Sequence, residues 1–317
     1  MISNPKILVT GAHGFVGSAL CQDLTRRGVR VNAVIRQGSG RDKFLIKDIA
    51  SQTDWMSPLH GCSAVIHLAA RVHVLTDRAV DPLAAFRSVN VQGTLNLARQ
   101  AAKSGVHRFV FISSIGVNGA VTACEPFSAE DQAQPHSPYA QSKYEAELGL
   151  QALAKETGMK VVIIRPPLVY GQNAPGNFGS LMRWLKRGIP LPLGGIHNQR
   201  SLVALDNLVD LIITCLTHPS AANQTFLVSD GEDLSTTQLL RRMGAALGKP
   251  ARLIPVPVSV LKLCAALIGK PELAQRLCGS LQIDMSKTRD LLGWTPPFAV
   301  DAGLEKAAKE YSRETAV

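Results

Sequence analysis

The chain has 317 residues, of which 46% are hydrophobic and only 5% aromatic, and a formal net charge of +10. That length supports a large core in one sizeable α/β domain or two unequal ones, and an aliphatic, aromatic-poor composition suits helices packed on a buried parallel sheet. The basic residues are scattered, with no arginine-rich arm, zinc-finger spacing or aromatic RNA motif, which excludes a nucleic-acid binder and leaves an ordinary basic surface or mild attraction for an anionic nucleotide diphosphate.

The cysteines (Cys21, Cys62, Cys124, Cys215, Cys264, Cys278) are far apart and form no Cys-x-x-Cys or Cys/His cluster, so reduced structural thiols and no bound metal are expected. No signal-peptide apolar core precedes the first strand. The most apolar later stretch, 258–268, is broken by Lys262 and too short to span a bilayer. A soluble cytoplasmic protein without membrane insertion is expected.

Residues 6–10 read as a buried strand, and Gly11-Ala12-His13-Gly14-Phe15-Val16-Gly17 as a glycine turn before a helix over 18–27 that Gly28 ends. This is a βαβ opening, in which glycines allow a tight turn and close backbone approach to a pyrophosphate at a helix N-terminus. The second strand, 29–35, ends at Ile35-Arg36, without the acidic residue that would hold an adenosine ribose hydroxyl. Arg36 can instead meet a 2′-phosphate, which favours NADP(H) over NAD(H), with NAD(H) possible. Asp48-Ile49 is a candidate for the adenine pocket; a solvated loop aspartate is the alternative. Residues 64–70 form a strand ending in Leu68-Ala69-Ala70, small enough for a cofactor to approach the backbone, while His67 reads as a satisfied core histidine.

A strand over 108–113 follows, and Ser114 stands at its C-terminal end, where open α/β sheets bind ligands. Tyr139 and Lys143, four residues apart on a long helix-forming run, share one helical face. A cation beside a phenol favours the phenolate, so the pair is a candidate general acid/base with a lowered tyrosine pKa. After a strand over 160–165 that stops at Pro166-Pro167, the pattern changes to helices over 205–216 and 236–247 interleaved with short strands over 226–228 and 252–255. The expected fold is a Rossmann-type doubly wound parallel sheet (1–168 and 202–230) with a smaller C-terminal α/β substrate-binding lobe (169–201 and 231–317).

Taken together, Gly11-x-x-Gly14-x-x-Gly17, His67-Leu68-Ala69-Ala70, Asn90-Val91-x-Gly93-Thr94, Ser113-Ser114, Tyr139-x-x-x-Lys143, 165–171 and 291–296 resemble the extended short-chain dehydrogenase/reductase family, the nucleotide-sugar epimerases and dehydratases. Ala70-Arg71-Val72-His73-Val74 and the run 200–206 resemble its subgroup of UDP-glucose 4-epimerases, which includes 4-ketoreductases for surface polysaccharide. The resemblance implies that Tyr139 exchanges a proton with the sugar C4 oxygen, that Lys143 holds the nicotinamide ribose, and that Ser114, not Ser113, bonds the same oxygen. It also implies cofactor contacts from Gly11, His13, Gly14, Phe15, Val16, Gly17, Asn90 and Pro166, and diphosphate contacts from Asn177 and Arg200. Ile115 and Gly116 stand where the family's 4,6-dehydratases carry an Asp-Glu pair, which disfavours dehydration. The expected activity is reduction of a UDP-4-keto-6-deoxy sugar; the alternatives are a UDP-hexose 4-epimerase with tightly held NAD, a reductase of a non-nucleotide ketone, and a non-catalytic cofactor-sensing protein. A homodimer through the helix carrying Tyr139 is expected. The stretch 258–268 reads either as an apolar cover for the sugar or as a contact surface.

Overall fold

The structure, a computed structural model, describes residues 5–40, 42–72 and 81–313. His73 and Val74 of the subgroup motif lie outside the described residues. The strands are β1 (Lys6–Thr10), β2 (Arg30–Ile35), β3 (Lys43–Leu45), β4 (Ala64–His67), β5 (Arg108–Ile112), β6 (Lys160–Arg165), β7 (Leu168–Tyr170), β8 (Arg200–Ala204), β9 (Thr225–Leu227) and β10 (Asp233–Leu234). The helices are α1 (Phe15–Arg26), α2 (Met56–Leu59), α3 (Pro82–Arg87), α4 (Thr94–Lys103), α5 (Pro138–Thr157), α6 (Asn177–Lys186), α7 (Leu205–Thr217), α8 (Thr236–Ala246), α9 (Val258–Leu267), α10 (Pro271–Cys278), α11 (Ser286–Leu292) and α12 (Val300–Arg313).

Among the described residues the main sheet has seven parallel strands in the order β3-β2-β1-β4-β5-β6-β9. Its strands read as unbroken apolar runs because both faces are covered. Alternation along each strand sends Ile7, Val9, Val110, Ile112, Val162 and Ile164 toward Leu20 and Leu24 of α1 and Leu208 and Ile212 of α7. The intervening Leu8, Val65, Phe109, Phe111, Val161 and Ile163 face Leu97 and Ala98 of α4 and Ala146 and Leu150 of α5. This is the expected doubly wound sheet. Its chain order reverses between β1 and β4, and that crevice is where ligands bind in open α/β folds.

A second sheet, β10-β8-β7, carries a separate core with Tyr170, Phe178, Met182, Leu202, Leu240 and Met243. Residues 200–204 therefore pair in the small sheet, whereas α7 and β9, which follow, return to the large one. Tyr170 fastens the small sheet by donating to buried Asp230 at 2.7 Å, and Asp230 also accepts from the Ala204 amide and from Asn207. The strand expected over 252–255 is reduced to one bridge, Leu253 to Leu191, because Pro255 and Pro257 carry no amide hydrogen to extend it. Helix α1 starts at Phe15 rather than at 18, because Gly14 is its N-cap. All six cysteines are free.

Candidate active site

The glycine turn is built by close backbone approach. Gly11 has φ +69°, and a Cβ there would stand 3.0 Å from the Ala69 nitrogen; one on Gly17 would stand 2.1 Å from the Gly11 carbonyl oxygen. Only glycine seats α1 this tightly on the end of β1. Gly14 provides no side-chain cap and the first turn holds no acidic residue, so the leading amides and the positive end of the helix dipole face the crevice. The crevice is a cleft of ≈ 550 Å³ whose wall includes Gly11, His13, Gly14, Leu68, Ala69 and Ala70, with Arg36 and Ile49 on its far side. Val34, Ile35, Gln37 and Ile46 complete it; reading single positions missed them, although the apolar end of the second strand was the available signal.

Other expected contacts fall differently. Phe15 and Val16 turn their side chains into the cores and lie off the cleft wall. Asp48 is exposed and lies off the cleft wall, while its neighbour Ile49 is brought in by Gly93, where a Cβ would stand 2.6 Å from Ile49 Cγ2. Buried Asn90 is satisfied within the protein: it accepts from the Arg71 amide at 2.8 Å and donates to the Arg71 carbonyl at 3.0 Å and to Ser142 Oγ at 2.9 Å. It positions the segment after β4 against the Tyr139 helix. The Pro166 carbonyl accepts from the Ile115 amide at 3.0 Å, which holds the turn after Ser114. His67 is bonded on both ring nitrogens, to Thr10 Oγ1 at 2.7 Å and Thr94 Oγ1 at 2.9 Å, and burial with the nearby Lys143 charge pushes its pKa down to about 3. It is a neutral core histidine, as the sequence suggested.

Helix α5 begins at Ser137, whose hydroxyl accepts from the Ala140 amide, continues through Pro138 and ends at left-handed Gly158. It carries Tyr139 and Lys143. Lys143 is buried, donates from Nζ to the Ile112 carbonyl at 2.7 Å and lies 4.2 Å above the Phe111 ring. Burial lowers its pKa to about 7, partly offset by Glu147 one turn on. Tyr139 packs edge-on against Phe86 with ring centroids 6.0 Å apart, and burial raises its phenol to about 12. The expected lowering of the phenol by Lys143 is therefore absent from this structure: desolvation outweighs the lysine, whose charge is directed at the end of β5.

The two serines after β5 diverge. Ser113 is buried and donates to Glu147, which also accepts from Arg165 Nε at 3.0 Å and Nη2 at 2.6 Å. Arg165 Nη1 donates in turn to Asn118 at 2.9 Å. Ser114 is half-buried and its Oγ takes the Gly116 amide at 3.1 Å, beside the start of α5: a Cβ on Gly116 would meet Ser114 Oγ at 3.3 Å and Ala140 Cβ at 3.4 Å.

Tyr139 opens onto a second cavity of ≈ 540 Å³, which also takes His136, Phe86, Arg200, Gln275 and Arg276 into its wall. Arg200 donates to the Gly279 carbonyl at 2.9 Å, and burial lowers its pKa without removing a guanidinium charge. Asn177 is exposed at the first residue of α6 and lies off this cavity wall. Sequence reading missed His136 and Arg276, and the spacing of neither offered a signal. Residues 70 and 71 link the cleft and the cavity: Ala70 lines the first, and Arg71 stacks 5.6 Å over Phe86, which lines the second.

The cleft thus suits a dinucleotide: it has a glycine cradle that a Cβ would fill and the N-terminus of α1 for a pyrophosphate. Among the described residues no group of three His, Cys, Asp or Glu can hold a metal, and no helix is long and apolar enough to cross a membrane.

Comparison with known proteins gives a consistent answer. The sequence profile of the NAD dependent epimerase/dehydratase family matches residues 7–229. A UDP-glucose 4-epimerase of Vibrio cholerae is 49% identical over 315 residues, spanning 97% of this chain and 96% of its own. An N-acetyl-α-D-glucosaminyl-diphospho-ditrans,octacis-undecaprenol 4-epimerase of Escherichia coli O157:H7 is 27% identical over 96% of this chain and 94% of its own. Among solved structures, UDP-glucose 4-epimerase of Thermotoga maritima with UDP-glucose shares the fold, with TM-score 0.79, 24% identity and coverage of 98% of this chain and 99% of that one.

Proposed function

Because this chain belongs to the NAD dependent epimerase/dehydratase family, we propose that it is an NAD-dependent 4-epimerase of a UDP-linked hexose, with the sugar in the cavity of Tyr139 and Arg200. The observation that carries the reading is that a half-buried phenol and a guanidinium line one cavity, whose Phe86 wall is stacked by Arg71, the residue after Ala70 of the glycine-turn cleft. The choice of epimerase over ketoreductase is supported by the 49% identity to the Vibrio cholerae epimerase.

When bound, the nicotinamide supplies the acceptor and donor of the C4 hydride. In the proposed chemistry Tyr139 takes the C4 hydroxyl proton as the carbonyl forms and returns it when hydride comes back to the other face. Ser114 donates to the same oxygen, which its separation from the Ser113 and Glu147 network leaves it able to do. Lys143 holds the ribose and adds positive charge beside the phenol. A phenol raised by burial needs that charge in the loaded site before it can act as a base. Arg200 holds the diphosphate, for which paired guanidinium donors are suited. Gly116 removes the acid a dehydratase would need, and a Cβ there would already stand 3.1 Å from the His136 ring. The small-sheet lobe, which includes all of β8 to Ala204, is proposed to carry the sugar, and a homodimer through α5 is proposed as the assembly.

A second reading, an NADPH-dependent 4-ketoreductase, has one observation in its favour: Arg36 lines the cleft at the end of β2, where no acidic residue stands. The test is to extract nucleotide from the purified protein and assay interconversion of UDP-glucose and UDP-galactose without added cofactor. Retained NAD with interconversion is expected, and Tyr139→Phe is expected to lower turnover by about 10²–10⁴ while keeping the nucleotide. An empty protein that consumes NADPH with a UDP-4-keto sugar, and interconverts nothing, would make the second reading correct.

A further inference from the structure

Helix α9 has the sequence Val-Ser-Val-Leu-Lys-Leu-Cys-Ala-Ala-Leu, with Lys262 its sole charge. A helix apolar on all sides normally lies inside a protein. Here only one face is covered: Ala265 is buried and Val258 and Leu261 pack on the core of the small sheet, whereas Leu263 is 61% exposed. The exposure rises to 78% at Leu267 and 66% at Ile268, the highest of the large apolar side chains among the described residues. These two residues form the apex of the hairpin joining α9 to α10, and the apex is held by backbone bonds. The Ile268 amide bonds the Cys264 carbonyl, Gly269 turns at φ +67°, and the Lys270 amide bonds the Ala265 carbonyl at 2.8 Å. Leu273, on the first turn of α10, is exposed as well.

Two exposed lysines stand on the hairpin, Lys270 directly after the apex and Lys262 on α9, within electrostatic reach of Cys278 at the end of α10. The carboxylate of the hairpin, Glu272, is turned to Arg276 at 3.5 Å rather than to either lysine. An exposed apolar tip on a hairpin that also carries two exposed lysines fits the headgroup and acyl boundary of an anionic bilayer. It fits a second copy of the chain poorly, because the pairing would bring like charges together on a protein already at +10.

We propose that the α9–α10 hairpin docks the protein peripherally on an anionic membrane surface, with Leu267 and Ile268 in the lipid boundary and Lys262 and Lys270 on the headgroups. Glu272, Gln275 and Arg276 of the same hairpin line the Tyr139 cavity. Docking therefore sets one wall of that cavity at the bilayer surface.

The test is flotation of the full chain with vesicles of phosphatidylcholine mixed with phosphatidylglycerol, against vesicles of phosphatidylcholine alone, at physiological salt. Binding is expected to the anionic vesicles only. Leu267→Ser with Ile268→Ser, both at exposed positions, is expected to weaken it by about tenfold or more, and Lys262→Gln with Lys270→Gln to remove its dependence on lipid charge. Far-UV circular dichroism and melting confirm that each variant is folded, and the readout does not depend on turnover. The proposal is overturned if wild type ignores anionic vesicles, if the serine variant binds them equally, or if sedimentation velocity finds a dimer that the serine variant abolishes.

Discussion

Replacing Glu147 by Gln tests the most demanding electrostatic arrangement in the interior. The carboxylate and the Arg165 guanidinium are 1% and 7% exposed, and the pair closes at 2.6 Å with Ser113 donating to the same carboxylate. Glutamine preserves the shape but carries no charge, and arginine stays ionised, so the guanidinium is left buried without a counterion. Breaking one side of a buried pair costs about 3–5 kcal/mol. An unfolding entropy of about 2.1 cal/mol/K per residue over 317 residues converts that into a Tm lower by about 4–8 °C. Differential scanning calorimetry at neutral pH measures it. Glu147→Met combined with Arg165→Met removes both charges and is expected to recover a large part of the loss, as paired apolar replacements of buried ion pairs do. A Tm for Glu147→Gln within about 1 °C of wild type, or a double variant no more stable than the single one, would refute the reasoning.

Two further outcomes are expected. Burial holds Lys143 at about 7 against an ordinary value of 10.5, so between those values the unfolded chain binds more protons than the folded one and stability rises with pH. The cost of the buried ammonium is thus greatest at and below pH 7, and Lys143→Met is expected to melt above wild type at pH 7 with an advantage that shrinks toward pH 10; an advantage constant across that window would sink the argument. Gly17→Ala places a Cβ 2.1 Å from the Gly11 carbonyl oxygen, which only a shift of backbone can relieve, and is expected to cost about 1–3 kcal/mol and to lose retained nucleotide. Wild-type retention with unchanged Tm would show that the turn is looser than its geometry.

The large sheet was legible because its strands are short apolar runs cut by glycine turns, and α5 because Tyr139 opens a long helix-forming run, although its end signals, Ser137-Pro138 and Gly158, went unread. The choice of Ser114 over Ser113 came from a resemblance; the structure supplies a physical basis for it in the bond from Ser113 to Glu147. Long-range chemistry was not legible. Glu147 and Asn118 meet on Arg165 from 18 and 47 residues away, a pairing that no local spacing announces. Helical spacing placed Tyr139 and Lys143 on one face but said nothing of the dielectric around them, which sets both pKa values here. Likewise 252–255 had a strand-like composition, and the nearby prolines decided against pairing.

Phe15 gives the glycine turn a second consequence. Its ring packs on both cores, against the α1 side of the large sheet and against the small-sheet cluster, and a Cβ on Gly171 would lie 3.6 Å from its Cζ. The residue that begins α1 is therefore also a pin through the joint between the two sheets. Displacing the leading turn of α1 would therefore also disturb that joint, because one aromatic ring fills both.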